Sequence, residues 1–386
     1  MEKRIQQQIR TVERLLQEYS GDEPLARFLS GFYKRNRQMG SADRRIASRL
    51  AYNYFRIGLA AAKSPLPDRL ALAEFLCSKD SAVAQLLLPE LYSHISDELS
   101  QKIALLEDYT AFRLADVFPY TSHLSAGVDQ LGFTYSLFTQ PDLFIRLRHA
   151  HETEVLSILE KENIPYQKLS DFTIALPNGT ALDRIPGLAG KYEVQDKSSQ
   201  QTAAYFEASA GEHWWDACAG SGGKSLLLLD SNPSVNLLVS DTRNSILRNL
   251  DERFEAAGIK SYRRKIIDLS KDADTILGDE QFDGMILDAP CTGSGTWGRT
   301  PEQISAFDEQ SIGRFATLQK QLAGNMVKHL KPGKPLIYIT CSVFSAENEH
   351  VIEHLQAHHS LRLERMDMLC GYLHKADSMF VARLVK

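Results

Sequence analysis

Two apolar runs that each lead into a cysteine constrain the fold of this chain most strongly. Residues 285–287 run into Asp288-Ala289-Pro290-Cys291-Thr292-Gly293-Ser294-Gly295, and residues 336–340 run into Cys341. An apolar run followed by turn-forming residues is typical of a buried strand that passes into a loop. Ligands of an open parallel sheet bind at the carboxyl ends of its strands. If the two runs are neighbouring strands of one such sheet, both sulfurs can face the same crevice.

Length, charge and cysteine usage limit the classes of protein to consider. A chain of 386 residues suggests two or three domains. Its net charge of −5 gives no global attraction to nucleic acid, so RNA binding would need local basic patches. The polar start and the short apolar runs predict neither a signal segment nor membrane contact. Five cysteines without paired spacings disfavour a disulfide framework, and we expect a cytoplasmic monomer without a metal site.

Residues 1–125 are predicted to form an all-α domain, because apolar residues recur there at helical spacing. The segment 33–49 within it is markedly basic. It suits an RNA-phosphate contact surface, and it equally suits a solvated helix face. Its Gly40-x-x-Asp43-Arg44-Arg45 sequence resembles the NusB-like helical domain found ahead of some bacterial rRNA methyltransferases.

Residues 131–192 are predicted to form a small α+β module. Residues 143–148 and 172–176 alternate or cluster apolar side chains as short strands do. Arg146 and Arg148 would share one face of the first strand, where they could contact RNA or remain solvated. The final domain is expected to begin at residue 193.

A glycine-rich turn in this final domain, residues 193–386, indicates a cofactor site. Trp214-Trp215-Asp216 reads as a strand that leads into Cys218-Ala219-Gly220-Ser221-Gly222-Gly223-Lys224-Ser225. Glycines let the backbone approach a ligand, and the N-terminus of the following helix offers free N–H groups. Such a turn can hold a dinucleotide, a nucleoside-type cofactor, or no ligand at all. Because Cys218 stands where a phosphate-binding loop begins with glycine, an NTPase is disfavoured.

Carboxylates at three predicted strand ends narrow the choice of cofactor. They are Asp216, Asp241 and Asp268. Asp241 follows the glycines by about 20 residues, a spacing that suits ribose hydroxyls, although it could also cap the next helix. Asp268 could accept a hydrogen bond from an adenine amino group. A series of carboxylates without phosphate-binding cations favours S-adenosylmethionine over a nicotinamide dinucleotide.

The ordered motifs are Asp216-x-Cys-Ala-x-x-Gly-Gly-Lys224, Asp241, Asp268, Asp288-Ala-Pro-Cys291 and Thr340-Cys-Ser342. This set closely resembles the RsmB/NOL1/NOP2/Sun family of RNA cytosine-5 methyltransferases, over roughly residue 131 to the C-terminus. Further matches are Gln195-Asp196-x-Ser-Ser199, Pro332-Gly333 and Glu347-Asn348-Glu349. The resemblance, closest in kind to the bacterial 16S rRNA methyltransferase B type, implies an α/β fold. Its methyltransferase domain would be Rossmann-like, with a doubly wound, mostly parallel seven-stranded sheet that ends in a hairpin near residues 361–366 and 379–384.

The resemblance also implies the reaction and the roles of the residues. Cys341 would add to carbon 6 of a cytidine in RNA, which activates carbon 5 for methylation by S-adenosylmethionine. Cys291 would assist release of the product, and Asp288 would hydrogen-bond the cytosine edge beside the cofactor's methyl group. Lys224 would neutralise charge at that junction.

The same resemblance distributes the cofactor's parts along the chain. The run from Cys218 through Ala219, Gly220, Ser221, Gly222 and Gly223 to Lys224 would hold its methionine portion. Asp241 would bind its ribose, and Asp268 its adenine. Either thiol alone would more simply be a packing residue, whereas both together at strand ends favour catalysis. Ribosomal RNA is the expected substrate; the alternatives are a tRNA cytosine-5 methyltransferase and a non-catalytic RNA-binding ribosome-assembly factor.

Overall fold

The computed structural model describes residues 2–386, and its N-terminal region is helical, as predicted. The helices are α1 (Glu2–Glu18), α2 (Leu25–Arg35), α3 (Ser41–Arg56), α4 (Leu66–Cys77), α5 (Ala82–Leu87), α6 (Leu99–Tyr109) and α7 (Gln130–Ser136). Helix α1 shows why they pack: Ile5, Ile9 and Val12 form one apolar stripe that is buried against Leu50 of α3 and Val83 of α5.

Helix α7 begins one residue before the predicted start of the α+β module, and it is not part of a sheet. The Asp129 side chain caps it by accepting a hydrogen bond from the Gly132 amide at 2.5 Å. Phe133 packs edge-on against Phe118, with ring centroids 5.1 Å apart. This short helix was missed because its cap and one buried aromatic residue are too few to show a helical period.

A four-stranded antiparallel sheet follows. It consists of β1 (Leu143–Leu147), β2 (Gln167–Lys168), β3 (Thr173–Leu176) and β4 (Tyr192–Val194), in the order β2-β3-β1-β4. Helix α8 (Glu152–Lys161) covers one face, where Val155 and Leu159 pack against Ile145 and Ile174. The predicted strands at 143–148 and 172–176 therefore both exist.

Two arginines, one in β1 and one directly after it, have neither of the expected environments. Arg146 and Arg148 share one face, and both form ion pairs with Asp230. All three side chains are largely buried. Nε of Arg146 also donates to Gln195 Oε1 at 2.7 Å. Because a carboxylate from a distant part of the chain lies over β1, these side chains are structural and are not a solvated RNA-contact face.

The remaining elements build a seven-stranded sheet with helices on both faces. They are α9 (Lys197–Gln201), β5 (His213–Asp216), α10 (Gly223–Ser231), β6 (Asn236–Asp241), α11 (Asn244–Ala256), β7 (Arg263–Ile266), α12 (Asp274–Leu277), β8 (Gly284–Asp288), α13 (Glu302–Ala306), α14 (Gln310–Val327), β9 (Pro335–Thr340), α15 (Glu349–His359), β10 (Arg362–Leu369) and β11 (Met379–Val385). The strand order is β10-β11-β9-β8-β5-β6-β7. Strands β5 to β9 pair in parallel, and β11 pairs antiparallel with both β9 and β10. The predicted mostly parallel seven-stranded sheet and its final hairpin are confirmed.

The central strands read as continuous apolar runs because both of their faces are covered. Trp214 of β5 faces the core beneath α10 and α11, whereas Trp215 faces the core beneath α14 and α15. Both indoles are fully buried. The switch in strand order between β5 and β8 opens a crevice at the carboxyl ends of these strands.

The chain divides into two compact units that alternate along the sequence. The first runs to Ser122 and includes Asp129–Gln140 and Trp297–Glu309; the second comprises His123–Val128, Pro141–Thr296 and Gln310–Lys386. The segment with α13 therefore belongs to the helical unit, although it directly follows the loop that carries Cys291. The three domains predicted from the sequence did not assign this segment to the helical unit, because such long-range packing leaves no local pattern.

Within the helical unit, buried polar groups hold the inserted segment. Nη1 of Arg56 donates to the carbonyl oxygens of Leu137 and Gly298, both at 2.9 Å. The Leu25 amide donates to the Glu302 carboxylate at 3.1 Å. Between residues 2 and 386, no helix combines the length and the apolar character needed to cross a membrane.

Candidate active site

The two thiols that follow β8 and β9 lie against each other. Their Sγ atoms are 3.4 Å apart, and both cysteines are free. The register of the parallel pair sets Asp288 opposite Ile339, so the loops leave the sheet at one edge. The contact with Cys341, together with burial, raises the pKa of Cys291 well above its ordinary value. A protonated Cys291 can therefore donate its S–H to a thiolate at Cys341.

The loop after Cys291 passes too close to its neighbours for a side chain at position 295. The Gly295 amide donates to the Cys341 carbonyl at 2.8 Å, and the Ser378 amide donates to the Gly295 carbonyl at 2.9 Å. A Cβ atom on Gly295 would lie 2.2 Å from the Ser378 carbonyl oxygen. The glycine thus allows the loop of one thiol to bond to the loop of the other.

Asp288, at the end of β8, is held by a buried lysine. Nζ of Lys224 donates to Asp288 Oδ2 at 3.1 Å and to Ser199 Oγ at 2.8 Å. The side-chain amide of Gln195 donates through Nε2 to Ser199 Oγ and to the Gly223 carbonyl, each at 3.2 Å. Gln195 and Ser199 matched the family motif without an assigned role; the structure brings them to Lys224. The contact orients Asp288.

A cleft of about 470 Å³ lies at the carboxyl ends of the parallel strands. Its lining is Ala217, Cys218, Gly220, Asp241, Thr242, Arg243, Ile267, Asp268, Leu269, Ser270, Asp288, Pro290, Leu318 and Leu322. Of the residues predicted to bind a cofactor, Cys218, Gly220, Asp241, Asp268 and Asp288 are in this lining. Ala219, Ser221, Gly222, Gly223 and Lys224 are not.

The glycine-rich turn serves packing as well as the cleft. Gly222 has a φ of 85°, and a Cβ atom there would lie 2.8 Å from the Phe254 ring and 3.0 Å from Leu250 of α11. Glycine at this position lets α10 begin close to α11. The Gly220 amide, by contrast, donates to Asp241 Oδ2 at 3.2 Å at the wall of the cleft.

The three strand-end carboxylates differ in their environments. Asp241 accepts hydrogen bonds from the Gly220 and Arg243 amides, at 3.2 and 2.9 Å, and lines the cleft. Asp268 lies two residues beyond β7, and hydrogen bonds from Ser270 lower its pKa. Each carboxylate oxygen can accept more than one hydrogen bond, so both groups can still accept one from a ligand.

Asp216 does not line the cleft, contrary to the expectation that all three carboxylates surround it. The side chain is fully buried, and the Ser225 hydroxyl donates to its Oδ2 at 2.5 Å. Its Oδ1 has no hydrogen-bond partner. Burial raises the pKa of Asp216 to about 7. Strand-end position indicated the correct edge of the sheet, but it could not show that this side chain is buried against Ser225 of α10 and lies outside the cleft.

The composition of the cleft fits an adenosine-bearing cofactor. Asp241 offers acceptors for vicinal hydroxyls, and Ile267 and Leu269, the sequence neighbours of Asp268, add apolar side chains to the same lining. The lining cation, Arg243, is paired with Asp241 at 3.2 Å. Apolar lining from α14 was missed in the sequence; its only signal was an i, i+4 pair, Leu318 and Leu322, on a helix with no recognised motif.

Cys341 lines a second, smaller cavity of about 280 Å³. The same cavity is also lined by Gln195, Asp196, Ser199 and Gly223. Both cavities lie within the second unit. Lys224 donates to Ser199, which lines the smaller cavity, and to Asp288, which lines the cleft. Among residues 2–386, no cluster of three or more His, Cys, Asp or Glu side chains is arranged to hold a metal ion.

The basic segment 33–49 lies in the helical unit and is partly paired. Arg35 contacts Glu18 at 3.3 Å, and the Tyr33 hydroxyl donates to the Arg44 carbonyl at 3.0 Å. Arg45 is exposed on α3. The segment therefore has both a structural part and a solvated part.

Comparison with known proteins shows which sequences this chain resembles. Residues 203–384 match the family model described as 16S rRNA methyltransferase RsmB/F. A protein named ribosomal RNA small subunit methyltransferase B from Enterobacter sp. (strain 638) is 30% identical over 223 residues, 55% of this chain and 50% of that protein. Its namesake from Serratia proteamaculans is 29% identical over 230 residues, 58% of this chain and 53% of that protein. The chain spans about half the length of the curated relatives it matches.

Solved structures show the same fold. The crystal structure of PH0851 aligns over 98% of both chains, with a TM-score of 0.73 at 20% identity. A methyltransferase homologue from Pyrococcus horikoshii covers 74% of this chain and 98% of its own, with a TM-score of 0.59 at 19% identity. NSun6 from the same organism covers 64% of this chain and 91% of its own, with a TM-score of 0.57 at 17% identity.

Proposed function

Residues 203–384 belong to the RsmB/F family of methyltransferases, and on that premise we propose that the protein methylates carbon 5 of a cytidine in RNA. The observation that carries this proposal is the 3.4 Å contact between the sulfurs of Cys291 and Cys341. Carbon 5 of cytosine is a weak nucleophile, and a thiolate that adds to carbon 6 makes it enamine-like. A second thiol within reach of the first is what the reversal of that addition needs.

The residues divide the chemistry between the two cavities. S-adenosylmethionine, when bound in the larger cleft, supplies an electrophilic methyl group. Cys218 and Gly220 would border its methionine portion, Asp241 would accept from its ribose hydroxyls, and Asp268 from its adenine amino group. Asp288, held by Lys224, would lie where the methyl donor and the cytosine meet.

Cys341 acts on the base from the second cavity. Its thiolate adds to carbon 6, and the electron pair of the 5,6 double bond moves to carbon 5, which takes the methyl group. Release then needs the carbon-5 proton to leave and the double bond to re-form as the bond from sulfur to carbon 6 breaks. Cys291 gives its proton to the departing Cys341 sulfur and, as a thiolate, takes the proton from carbon 5. Cys291 thereby returns to its S–H form. Cys341, which began as a thiolate, ends protonated and loses this proton to solvent before the next cycle; it is the one proton that the overall methylation releases.

The nucleophile assignment is tested by methyl transfer to bulk RNA. We expect Cys341→Ala to abolish transfer, because it removes the thiolate that adds to carbon 6. Cys370→Ala is the matched control, since that thiol lines neither the cleft nor the cavity at Cys341 and donates to the Gly127 carbonyl. Equal transfer by Cys341→Ala and the control would refute the assignment.

The release role of Cys291 predicts a different phenotype. Cys291→Ala should accumulate a covalent enzyme–RNA adduct, visible as a shifted band on a denaturing gel. The release role is wrong if Cys291→Ala shows no such band although Cys341 is able to add to the RNA under the same conditions.

The names of the relatives support ribosomal RNA of the small subunit as the substrate. Bisulfite mapping of RNA from a strain lacking the protein would identify the cytidine, and an unmethylated position in tRNA alone would contradict this proposal.

We further propose that residues 1–125 and 131–192 help to hold the RNA, and that the protein acts in the cytoplasm as a monomer. Loss of RNA binding on Arg45→Ala would support the first of these points.

A further inference from the structure

One buried carboxylate, Glu347, lies between the loops of the two thiols. It is fully buried in a short 3₁₀ turn (Ser345–Glu347) between β9 and α15. Its Oε1 accepts from the hydroxyls of Thr292, at 2.5 Å, and Ser342, at 2.6 Å. Its Oε2 accepts from the Thr292 amide, at 2.9 Å, and from Gln319 Nε2, at 3.0 Å. A carboxylate has about four acceptor positions, and all of them are used here.

The donors to Glu347 are the immediate neighbours of the two thiols. Thr292 follows Cys291, and Ser342 follows Cys341. Gln319, on α14, donates to the Pro290 carbonyl as well, at 2.9 Å, and so ties the residue before Cys291 to the same group. Glu347 is thereby hydrogen-bonded to both thiol loops.

The donors are hydroxyl and amide groups, and none of them carries a positive charge. A buried carboxylate with neutral partners keeps its negative field in a medium of low dielectric constant. That field disfavours a second negative charge nearby. It contributes to the raised pKa of Cys291, after the contact with Cys341 and burial.

We propose that Glu347 is a positioning residue, which holds the two thiol loops at their working separation and keeps Cys291 in its S–H form until release. The inference rests on the proposed function, since it assigns the two thiols unequal roles. Glu347 touches neither the cofactor cleft nor the cavity at Cys341, so it acts through Cys291.

The protonation claim is tested without RNA. In a Cys341→Ala background, the rate at which iodoacetamide alkylates Cys291 is followed against pH by peptide mass spectrometry. Glu347→Gln should move the midpoint to lower pH by about one unit, because a nearby negative charge has been removed. Glu353→Gln, the same change at an exposed position of α15, is the matched control and should leave the midpoint unchanged. A Glu347→Gln profile that coincides with the control overturns the claim.

The spacing claim is tested with RNA. Glu347→Asp keeps the charge and shortens its reach by one methylene, so the alkylation profile should stay while release slows. We expect about tenfold more covalent adduct than in wild type, with single-turnover methyl transfer within about threefold. If Glu347→Gln fails to fold, by its thermal melt, the proposal is decided on the spacing claim, which Glu347→Asp tests. Wild-type adduct levels and turnover in folded Glu347→Asp overturn the spacing claim.

Failure of the proposed function would look different. The wild-type protein would then transfer no methyl group to any RNA, and neither it nor the Glu347 variants would form an adduct. The alkylation profiles would still decide whether Glu347 controls the protonation of Cys291.

Discussion

Replacing Asp216 with asparagine should make the protein more stable at neutral and alkaline pH but not in acid. The side chain is fully buried, and burial raises the pKa of Asp216 from 3.8 to about 7. Well below the unfolded-state pKa of 3.8, the carboxyl is protonated in both the folded and the unfolded state. As the pH rises from about 4 to about 7, the unfolded state releases its proton first, so the free energy of unfolding falls. A difference of about three pKa units corresponds to about 4 kcal/mol at 1.36 kcal/mol per unit.

Asp216→Asn removes this ionisation and keeps the shape of the side chain. The Ser225 hydroxyl can donate to the amide oxygen as it does to Asp216 Oδ2. At pH 8 we therefore expect the melting temperature of the variant to exceed that of the wild type by about 10 °C, given about 2–4 °C per kcal/mol for a unit of this size. At pH 4.5 the two proteins should melt within a few degrees of each other.

The assay is differential scanning calorimetry between pH 4.5 and 9, and Asp279→Asn is the matched control. Asp279 is exposed, so its replacement should shift the melting temperature little at any pH. A difference between Asp216→Asn and wild type that stays constant across the pH range would refute the reasoning. So would a variant that is less stable than the wild type at pH 8, since that would mean Asp216 works as a buried charge.

Three further substitutions test the site. Asp241→Ala should weaken binding of S-adenosylhomocysteine by about 10–100-fold, the equivalent of one or two lost charge-assisted hydrogen bonds, and unchanged affinity by titration calorimetry would remove Asp241 from the cofactor site. Gly295→Ala places a Cβ 2.2 Å from the Ser378 carbonyl and should cost about 1–3 kcal/mol of stability together with methyl transfer; a native melting temperature would show that the loop can move aside. Lys224→Met leaves Asp288 without its partner at 3.1 Å, and because Lys224 does not line the cleft, kcat should fall while cofactor affinity changes little. A loss of affinity with unchanged kcat would contradict that assignment.

Much of the fold was readable from local pattern. The apolar run of β9 predicts a buried strand, and the structure has Pro335–Thr340 fully buried between β8, which pairs with it in parallel, and β11, which pairs antiparallel. The helical region was predicted from side-chain periodicity, which follows burial, whereas the final hairpin was expected from the family resemblance. Helix α7 escaped because it is short and capped by a single aspartate.

The sequence by itself determined the edge of the sheet at which the chemistry lies. A carboxylate or a thiol that directly follows an apolar run must emerge at the end of a strand, and parallel strands emerge together. That argument placed Asp241, Asp288, Cys291 and Cys341 at one edge, because it depends only on the chain direction of neighbouring strands.

Only the tertiary structure decided what each of these groups faces. Asp216 obeys the same rule as Asp241, yet Asp216 is fully buried against Ser225 of α10, whereas Asp241 lines the cleft. Glu347 was a matched motif residue without a role until folding brought Thr292 to one side of it and Ser342 to the other. Burial and hydrogen-bond partners come from segments far apart in the chain, and local spacing contains no information about them.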